Sequence, residues 1–325
     1  MEYTAVIRTL GKAGDKYQTL LNSLVSQTLP PSSIYVYIAD GYPKPKETVG
    51  VERYIYVKKG MVAQRALVYD DVTTDYILFL DDDLYLPNDA VEKLFSQLNT
   101  HSADIISPDV FPNASRPFYS ELLMTLSGRM RARRHDNIWG YKVMRTSGFS
   151  YNKNPTKDVY LSQANAGPCL LCKKNTFIET CFQDELWLDK MEYPLGEDEV
   201  LFYKMYKLGY KQLTSYNSGV IHLDAGTSRM DAEKTKRITY SDFYFKTVFW
   251  HRFIFLPEKS KILALYDVLC ISYALIFTLF ISMLKFNFTA VKIKYSAIKD
   301  AIMFIRSDEY KRLPLIPSLE QSIYE

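Results

Sequence analysis

The sequence predicts an α/β protein: a doubly wound, mostly parallel sheet flanked by helices, with a hydrophobic and amphipathic helical appendage at its C-terminal end. Three observations carry that prediction. Strand and helix patterns alternate over the first hundred residues, as in βαβ units. The strongest strand signal, Tyr76-Ile77-Leu78-Phe79-Leu80, is apolar at every position, as in strands buried on both faces. After residue 240 the chain changes character, and residues 262–284 carry a single charge, Asp267.

Residues 3–8 form a β-rich run, and residues 17–27 set Leu20, Leu21, Leu24 and Val25 at helical spacing. Strand pattern returns at 34–38, once Leu29-Pro30-Pro31 has ended the helix. A Pro- and Lys-rich loop follows Asp40-Gly41, then a strand at 54–57, a helix-like stretch at 62–69 and the strand at 76–80. Leu86-Pro87-Asn88-Asp89 opens the next helix with Asn88 or Asp89 as N-cap. In such sheets ligands bind beyond the carboxyl ends of the strands, so the residues after Ile38 and Leu80 are the ones to weigh.

Composition narrows the function classes. A chain of 325 residues that is 47% hydrophobic and 24% charged, with 13 Gly and 14 Pro, is neither disordered nor collagen-like nor of low complexity. Forty basic against 37 acidic residues leave +3, too little for whole-surface nucleic-acid binding. Four cysteines make no disulfide framework and predict a reducing compartment. Cys169 and Cys172 lie three apart in a strand-like run and so face opposite sides of the sheet, as buried small hydrophobes and not as a metal pair. Met1-Glu2-Tyr3 runs straight into strand pattern without an export signal, which predicts work beginning in the cytoplasm.

Asp81-Asp82-Asp83 closes the apolar strand at 76–80. Three adjacent carboxylates at the end of a buried strand repel one another, and a bound divalent cation relieves that cost. Hard oxygen ligands favour Mg²⁺ or Mn²⁺, which complete their shells with water and phosphate oxygens, so the expected ligand is a diphosphate. The plainer alternative is a solvated acidic turn before an ordinary helix start.

Five ordered motifs resemble family 2 glycosyltransferases: Ala5-Val6-Ile7-Arg8-Thr9-Leu10 with the helix ending Ser26-Gln27-Thr28, then Ile34 to Asp40-Gly41, Lys59-Gly60-Met61-Val62-Ala63-Gln64-Arg65, Tyr76 to Asp83, and Gly196-Glu197-Asp198-Glu199-Val200-Leu201 with Leu208-Gly209-Tyr210. The resemblance spans about residues 3 to 225 and implies a GT-A nucleotide-sugar-binding fold and inverting sugar transfer. By it, Asp40 matches the acid that hydrogen-bonds the nucleoside, Arg65 the arginine beside the nucleotide, and Thr9, with Arg8, the point where the first strand meets the base. Asp81 and Asp83 match the outer acids of the DXD motif, as metal ligands, with Asp82 serving the ribose or the metal shell. The family usually shows two acids where this chain has Ala39-Asp40. Without the resemblance, Asp40-Gly41 reads as a turn and Arg65 as a surface helix residue.

Asp198 is the expected catalytic residue. Inverting transfer needs one carboxylate to take the acceptor hydroxyl's proton as the oxygen attacks C1 opposite the leaving diphosphate. Asp198 falls in the first turn of an amphipathic helix marked by Leu201, Met205 and Leu208, where the helix dipole favours negative charge. The same position suits an acid that serves stability alone. His222, in the strand-like run Gly219-Val220-Ile221-His222-Leu223-Asp224, resembles the late histidine that completes the metal or diphosphate shell in some GT-A enzymes, with Asp224 a weaker candidate.

Residues 116–157 hold nine basic and two acidic residues, a balance of +7. Such a stretch can hold the phosphates of a lipid-linked acceptor, dock on an anionic leaflet, or form a solvated face. Further on, Val291, Tyr295, Ile298, Ile302 and Ile305 repeat at spacings of four and three, with Lys292, Lys299 and Arg306 on another face, as in a helix at a membrane interface. A complete span at 262–284 would export residues 285–312, which carry seven basic and three acidic groups, against the positive-inside rule. A monotopic or re-entrant anchor with both ends cytoplasmic is therefore preferred over a true span or a buried helical hairpin.

The expected organisation is a GT-A domain over 1–240, with a nucleotide-binding half (1–100) and an acceptor-binding half (101–240), and a membrane-associating region over 241–325. The expected activity is metal-dependent (Mn²⁺ or Mg²⁺), inverting transfer of a hexosyl or deoxyhexosyl group from a nucleoside-diphosphate sugar. The acceptor is a glycan or polyprenyl-diphosphate-linked glycan at the cytoplasmic membrane face, in surface-polysaccharide or O-antigen assembly, with no nucleic acid involved. A polyprenyl-phosphate glycosyltransferase and a catalytically silent sugar-nucleotide-binding subunit are the alternatives.

Overall fold

The computed structural model describes residues 1–110, 117–223 and 231–317. Arg116 and Asp224, singled out in the sequence, lie outside these residues. Strand β1 (Tyr3–Thr9), helix α1 (Asp15–Val25), β2 (Ser33–Ala39), β3 (Glu52–Val57), β4 (Tyr76–Asp81), β5 (Leu84–Tyr85) and α2 (Ala90–Thr100) make up the first third. Then come β6 (Ile105–Pro108), α3 (Phe118–Leu126), β7 (Met130–Arg133), β8 (Trp139–Val143), β9 (Phe149–Asn152), β10 (Val159–Ser162), β11 (Cys169–Lys173) and α4 (Lys174–Glu179). A 3-10 segment (Phe182–Lys190), α5 (Glu197–Lys207), β12 (Gln212–Ser215), β13 (Ile221–His222) and α6 (Ala232–Phe249) follow, and a π-helical turn (Trp250–Phe255) leads into α7 (Lys261–Leu284) and α8 (Phe288–Arg306).

Eleven strands form one sheet in the order β3-β2-β1-β4-β11-β6-β12-β10-β8-β9-β7, and β5 pairs with β13 in a separate two-stranded ladder. Strands β3, β2, β1 and β4 are mutually parallel, while β11 runs antiparallel to both β4 and β6. Because β1 lies between β2 and β4, the connections diverge there and open a crevice at the carboxyl ends of β1 and β4. The all-apolar runs are explained by two cores. Ile7, Leu78, Leu80 and Cys169 point to the face covered by α1 and α2, whereas Val6, Ile77, Phe79 and Cys172 point to the face covered by α5, α6 and the 182–190 segment. The two thiols thus lie on opposite faces, buried, and burial pushes both above the usual thiol range.

The helix-like stretch at 62–69 is instead a series of turns. Its first two backbone donors are taken by a distant side chain: Asp189 accepts from Val62 N at 2.8 Å and from Ala63 N at 3.0 Å. Residue 240 lies inside α6, and Val248, Phe249, Phe253 and Ala301 share the second core with the sheet. Helix α7 docks through a narrow face of Asp267, Ile271, Ala274, Thr278 and Ser282, with Asp267 fully buried against Arg145 at 2.5 Å. The rest of its surface, including Ile262, Leu265, Leu269, Ile276 and Phe280, is exposed, so the hairpin of α7 and α8 is not a buried one. At about 1.5 Å per residue α7 is about 36 Å long, and it alone among the described helices is long and apolar enough to cross a membrane. The basic excess of 116–157 is also partly paired: Arg129 with Asp242, Arg133 with Asp136, Arg145 with Asp267 and Lys153 with Glu121.

Candidate active site

The crevice between β1 and β4 holds a cavity of 310 Å³ lined by Arg8, Thr9, Lys12, Gln64, Asp81, Asp82, Asp83 and His222 among others. Asp81 ends β4, and Asp82 and Asp83 form the tight turn into β5. They do not make a solvated acidic turn: Asp83 is only 7% exposed. Asp82 is pushed up to about 6, chiefly by burial and then by its two neighbouring carboxylates, against a hydrogen bond from the Thr9 hydroxyl. Thr9 Oγ1 in turn accepts from Gly11 N at 2.8 Å, so the end of β1 is tied to the acidic turn.

The β5–β13 ladder brings the late histidine to this turn, with His222 opposite Leu84. Leu223 N donates to Asp83 O at 2.8 Å, Lys16 Nζ donates to Leu223 O at 2.7 Å, and His222 Nε2 lies 3.2 Å from Asp83 Oδ1. Asp83 and His222 are therefore together, whereas Asp81 turns toward Arg8, whose Nη2 sits 2.7 Å from Asp81 Oδ1. Among the described residues no three His, Cys, Asp or Glu side chains converge as a ready-made metal site. A hard divalent cation that takes two protein ligands and completes its shell from water and phosphate still fits the oxygen and imidazole pair of Asp83 and His222.

The acids at the start of α5 lie outside the cavity lining and are tied to it through Arg8. Arg8 Nη1 donates to Glu197 Oε1 at 2.8 Å, so Arg8 bridges the strand-end acid Asp81 and the helix acid Glu197. Arg65, 1% exposed, contacts Glu197 at 2.8 Å and Asp198 at 3.1 Å, donates to Gly167 O at 3.0 Å, and approaches Asp81 at 4.0 Å. Arg65 is thus no surface helix residue; it is buried against the start of α5, within 4.0 Å of Asp81. Buried between carboxylates, Arg8 is held more firmly protonated than an ordinary arginine, Glu197 contributing most among its partners although burial itself opposes the shift.

This network separates three adjacent acids. The Glu197 side chain, 10% exposed, is engaged by two guanidinium groups. Glu199 points to a second cavity beside Asp242 and Lys246, and burial pushes it up to about 8. Asp198 meets one guanidinium and keeps 40% of its side chain exposed. Two glycines allow the arrangement. A Cβ on Gly167 would lie 1.6 Å from Asp198 Oδ1, and Gly196, which caps α5 at φ 81°, would drive a Cβ into the Phe245 ring at 2.4 Å.

Asp40 is exposed just beyond the carboxyl end of β2, its backbone N donating to Val57 O at 2.7 Å, and lies outside the cavity lining. Sequence reasoning missed Glu197 as counter-ion, Gly167 and the Asp189 clamp. The acids at 197–199 look like ordinary helix-start decoration, and nothing in Ala166-Gly167-Pro168 signals that a carboxylate packs on the glycine.

Residues 18–154 match the family model described as glycosyl transferase family 2. That span includes Asp40, Arg65 and the three acids after β4, and stops short of α5 and His222. Among solved structures, S. aureus TarS residues 1–349, crystallised in complex with UDP-GlcNAc, matches 93% of this chain and 81% of its own, at 12% identity and a TM-score of 0.52. The chain has a GT-A-like fold. GalNAc-T7, solved with UDP, GalNAc and Mn²⁺, matches 83% of this chain and 55% of its own, at 13% identity and a TM-score of 0.49. No curated protein matches the sequence.

Proposed function

We propose that this chain is an inverting, metal-dependent glycosyltransferase that moves a sugar from a nucleoside-diphosphate sugar to a hydroxyl of a glycan or lipid-linked glycan at a membrane surface. The observation that carries the reading is the convergence of Asp81 and Asp198 on the buried Arg65, with Arg8 and Glu197 completing the bridge. It joins a diphosphate-type acidic turn to one exposed carboxylate of the kind a general base requires. The family match over 18–154 and the GT-A-like fold support a transferase.

In this reading Asp198 accepts the acceptor hydroxyl's proton, the oxygen forms its bond to the sugar C1, and the bond from C1 to the diphosphate breaks. Arg65 orients Asp198, and the Arg65 contact keeps one carboxylate oxygen fixed while the other faces the acceptor. Asp83 and His222 would hold a divalent cation, which when bound neutralises charge on the leaving diphosphate. Thr9 and Asp82 line the donor cavity, and Asp40, exposed at the end of the neighbouring strand β2, would meet the nucleoside. The exposed apolar surface of α7 supports association with a membrane, with Asp267 and Arg145 keeping the helix against the domain.

Calorimetry with a panel of nucleoside diphosphates on detergent-purified protein tests the donor site. UDP heads the panel because TarS, which shares the fold, was solved with UDP-GlcNAc. Micromolar binding of one nucleotide in Mn²⁺, weakened at least tenfold without the metal and in Asp83→Ala, is the expected result. Binding of no nucleotide, or binding indifferent to both metal and Asp83, defeats the assignment.

A further inference from the structure

A third cavity, of 390 Å³, opens between α3, α7 and the start of α8, away from the crevice of β1 and β4. Its walls combine apolar side chains, among them Tyr119, Leu123, Phe277 and Ile281, with three cations, Arg129, Lys285 and Lys294. The surrounding surface is apolar and exposed. Helix α3 buries none of its residues and presents Phe118, Tyr119, Leu122 and Leu126, and α7 presents Ile276, Phe280, Met283 and Leu284.

Among the described residues, positive charge here is only partly compensated. Arg129 and Lys246 share one carboxylate, Asp242, at 2.9 and 3.2 Å, and Lys294 Nζ donates to neutral partners, Ser282 Oγ at 2.8 Å and the Thr278 carbonyl at 3.1 Å. Lys294 falls to about 8, chiefly through burial, with Arg129, Lys246 and Lys285 adding repulsion and Asp242 opposing it. A cationic pocket ringed by exposed apolar helices matches an amphiphile with a phosphate head and a hydrocarbon tail. The cavity also leads toward the chemistry: Met124 and Arg129 line both it and the neighbouring 220 Å³ cavity, whose wall includes Gly196 and Glu199, the neighbours of Asp198.

We infer that Arg129, Lys285 and Lys294 bind the phosphate or diphosphate of a lipid-linked sugar acceptor, with its hydrocarbon chain along α3 and α7 and its sugar directed to the start of α5. The inference rests on the glycosyltransferase reading, narrows its acceptor to a lipid-linked one and adds the site that holds it.

The test uses full-length protein in detergent and three probes: farnesyl diphosphate, inorganic diphosphate and phosphatidylglycerol vesicles. Lys285 is exposed, so Lys285→Glu is expected to fold, and Lys294→Gln, checked by its melting temperature, is the second variant. Each should weaken farnesyl diphosphate at least tenfold, leave nucleotide affinity unchanged and affect inorganic diphosphate less, while Asp83→Ala keeps farnesyl diphosphate binding. Farnesyl diphosphate binding that ignores both lysines, or is lost with Asp83, overturns the inference. So does a lysine dependence confined to vesicles, which would make the pocket a bilayer contact. If a nucleotide binds and farnesyl diphosphate does not, the acceptor site falls and the donor reading stands; lysine-dependent farnesyl diphosphate binding without any nucleotide binding gives the reverse.

Discussion

Asp198→Asn is expected to lower sugar transfer by about 10²–10⁴-fold while leaving nucleotide affinity unchanged, the range that loss of a positioned general base produces. The amide preserves size and can still meet Arg65 through its oxygen, so the fold and donor cavity should persist. Glu197→Gln tests the contrast. Glu197 is held by Arg8 and Arg65, so its loss should lower stability and turnover together, whereas Asp198→Asn should lower turnover alone. Gly167→Ala acts on the same carboxylate without changing its charge, because its Cβ would overlap Asp198 Oδ1 and force that side chain away. A shift of about 1 Å in a catalytic group costs on the order of 10²-fold, and that is the loss expected for Gly167→Ala. Steady-state turnover with calorimetric nucleotide binding checks all three. An Asp198→Asn variant with full turnover would move the chemistry elsewhere, and a wild-type protein that binds nucleotide without turning over any donor would favour a silent binding subunit.

The legible parts of this fold are those whose signals are local. Strands β1, β2 and β4 read correctly because continuous apolar runs are what two buried faces require, and Cys169 and Cys172 follow from strand alternation alone. The three acids after β4 stand out because a carboxylate triplet at the end of a buried strand has a visible electrostatic cost. The helix-like pattern at 62–69 misleads because only a single turn forms, capped by Asp189 more than 120 residues away and carrying i−4 bonds at Gln64 and Ala66 before the backbone leaves helical geometry. Residues 117–162 are hard to read for another reason. Their strands are four or five residues long, and α3 buries nothing, so neither a period of two nor one of 3.6 accumulates.

The site divides along the same line. The motifs single out residues that the fold gathers near one crevice, but the different surroundings of each depend on contacts between segments distant in sequence. Glu197, Asp198 and Glu199 are equivalent in sequence, and only the packing of β1, the 61–66 turns and α5 directs one to two arginines, one to a second cavity and one to the exposed side.

Arg65→Met should have the largest combined effect, because Arg65 meets both acids at the start of α5 and the Gly167 carbonyl at once. The substitution keeps bulk and removes a guanidinium that is 1% exposed and contacts Glu197, Asp198 and the Gly167 carbonyl. Removing one partner of a buried ion pair typically costs about 3–5 kcal/mol, since the remaining charge stays desolvated. Arg8 still pairs with Glu197 and moderates that cost, so a loss of about 2–4 kcal/mol in urea unfolding is expected, together with at least 10²-fold in turnover. Arg65→Lys retains the charge without the fork that meets several acceptors at once, and should recover stability more than turnover. The double variant Arg65→Met/Glu197→Gln separates the two roles. Neutralising Glu197 removes the stranded charge, so stability should return toward wild type, while Asp198 remains without its orienting contact and turnover stays low. If turnover recovered along with stability in the double variant, Arg65 would be a structural counter-ion alone; if Arg65→Met behaved as wild type in both measurements, the bridge would carry neither role.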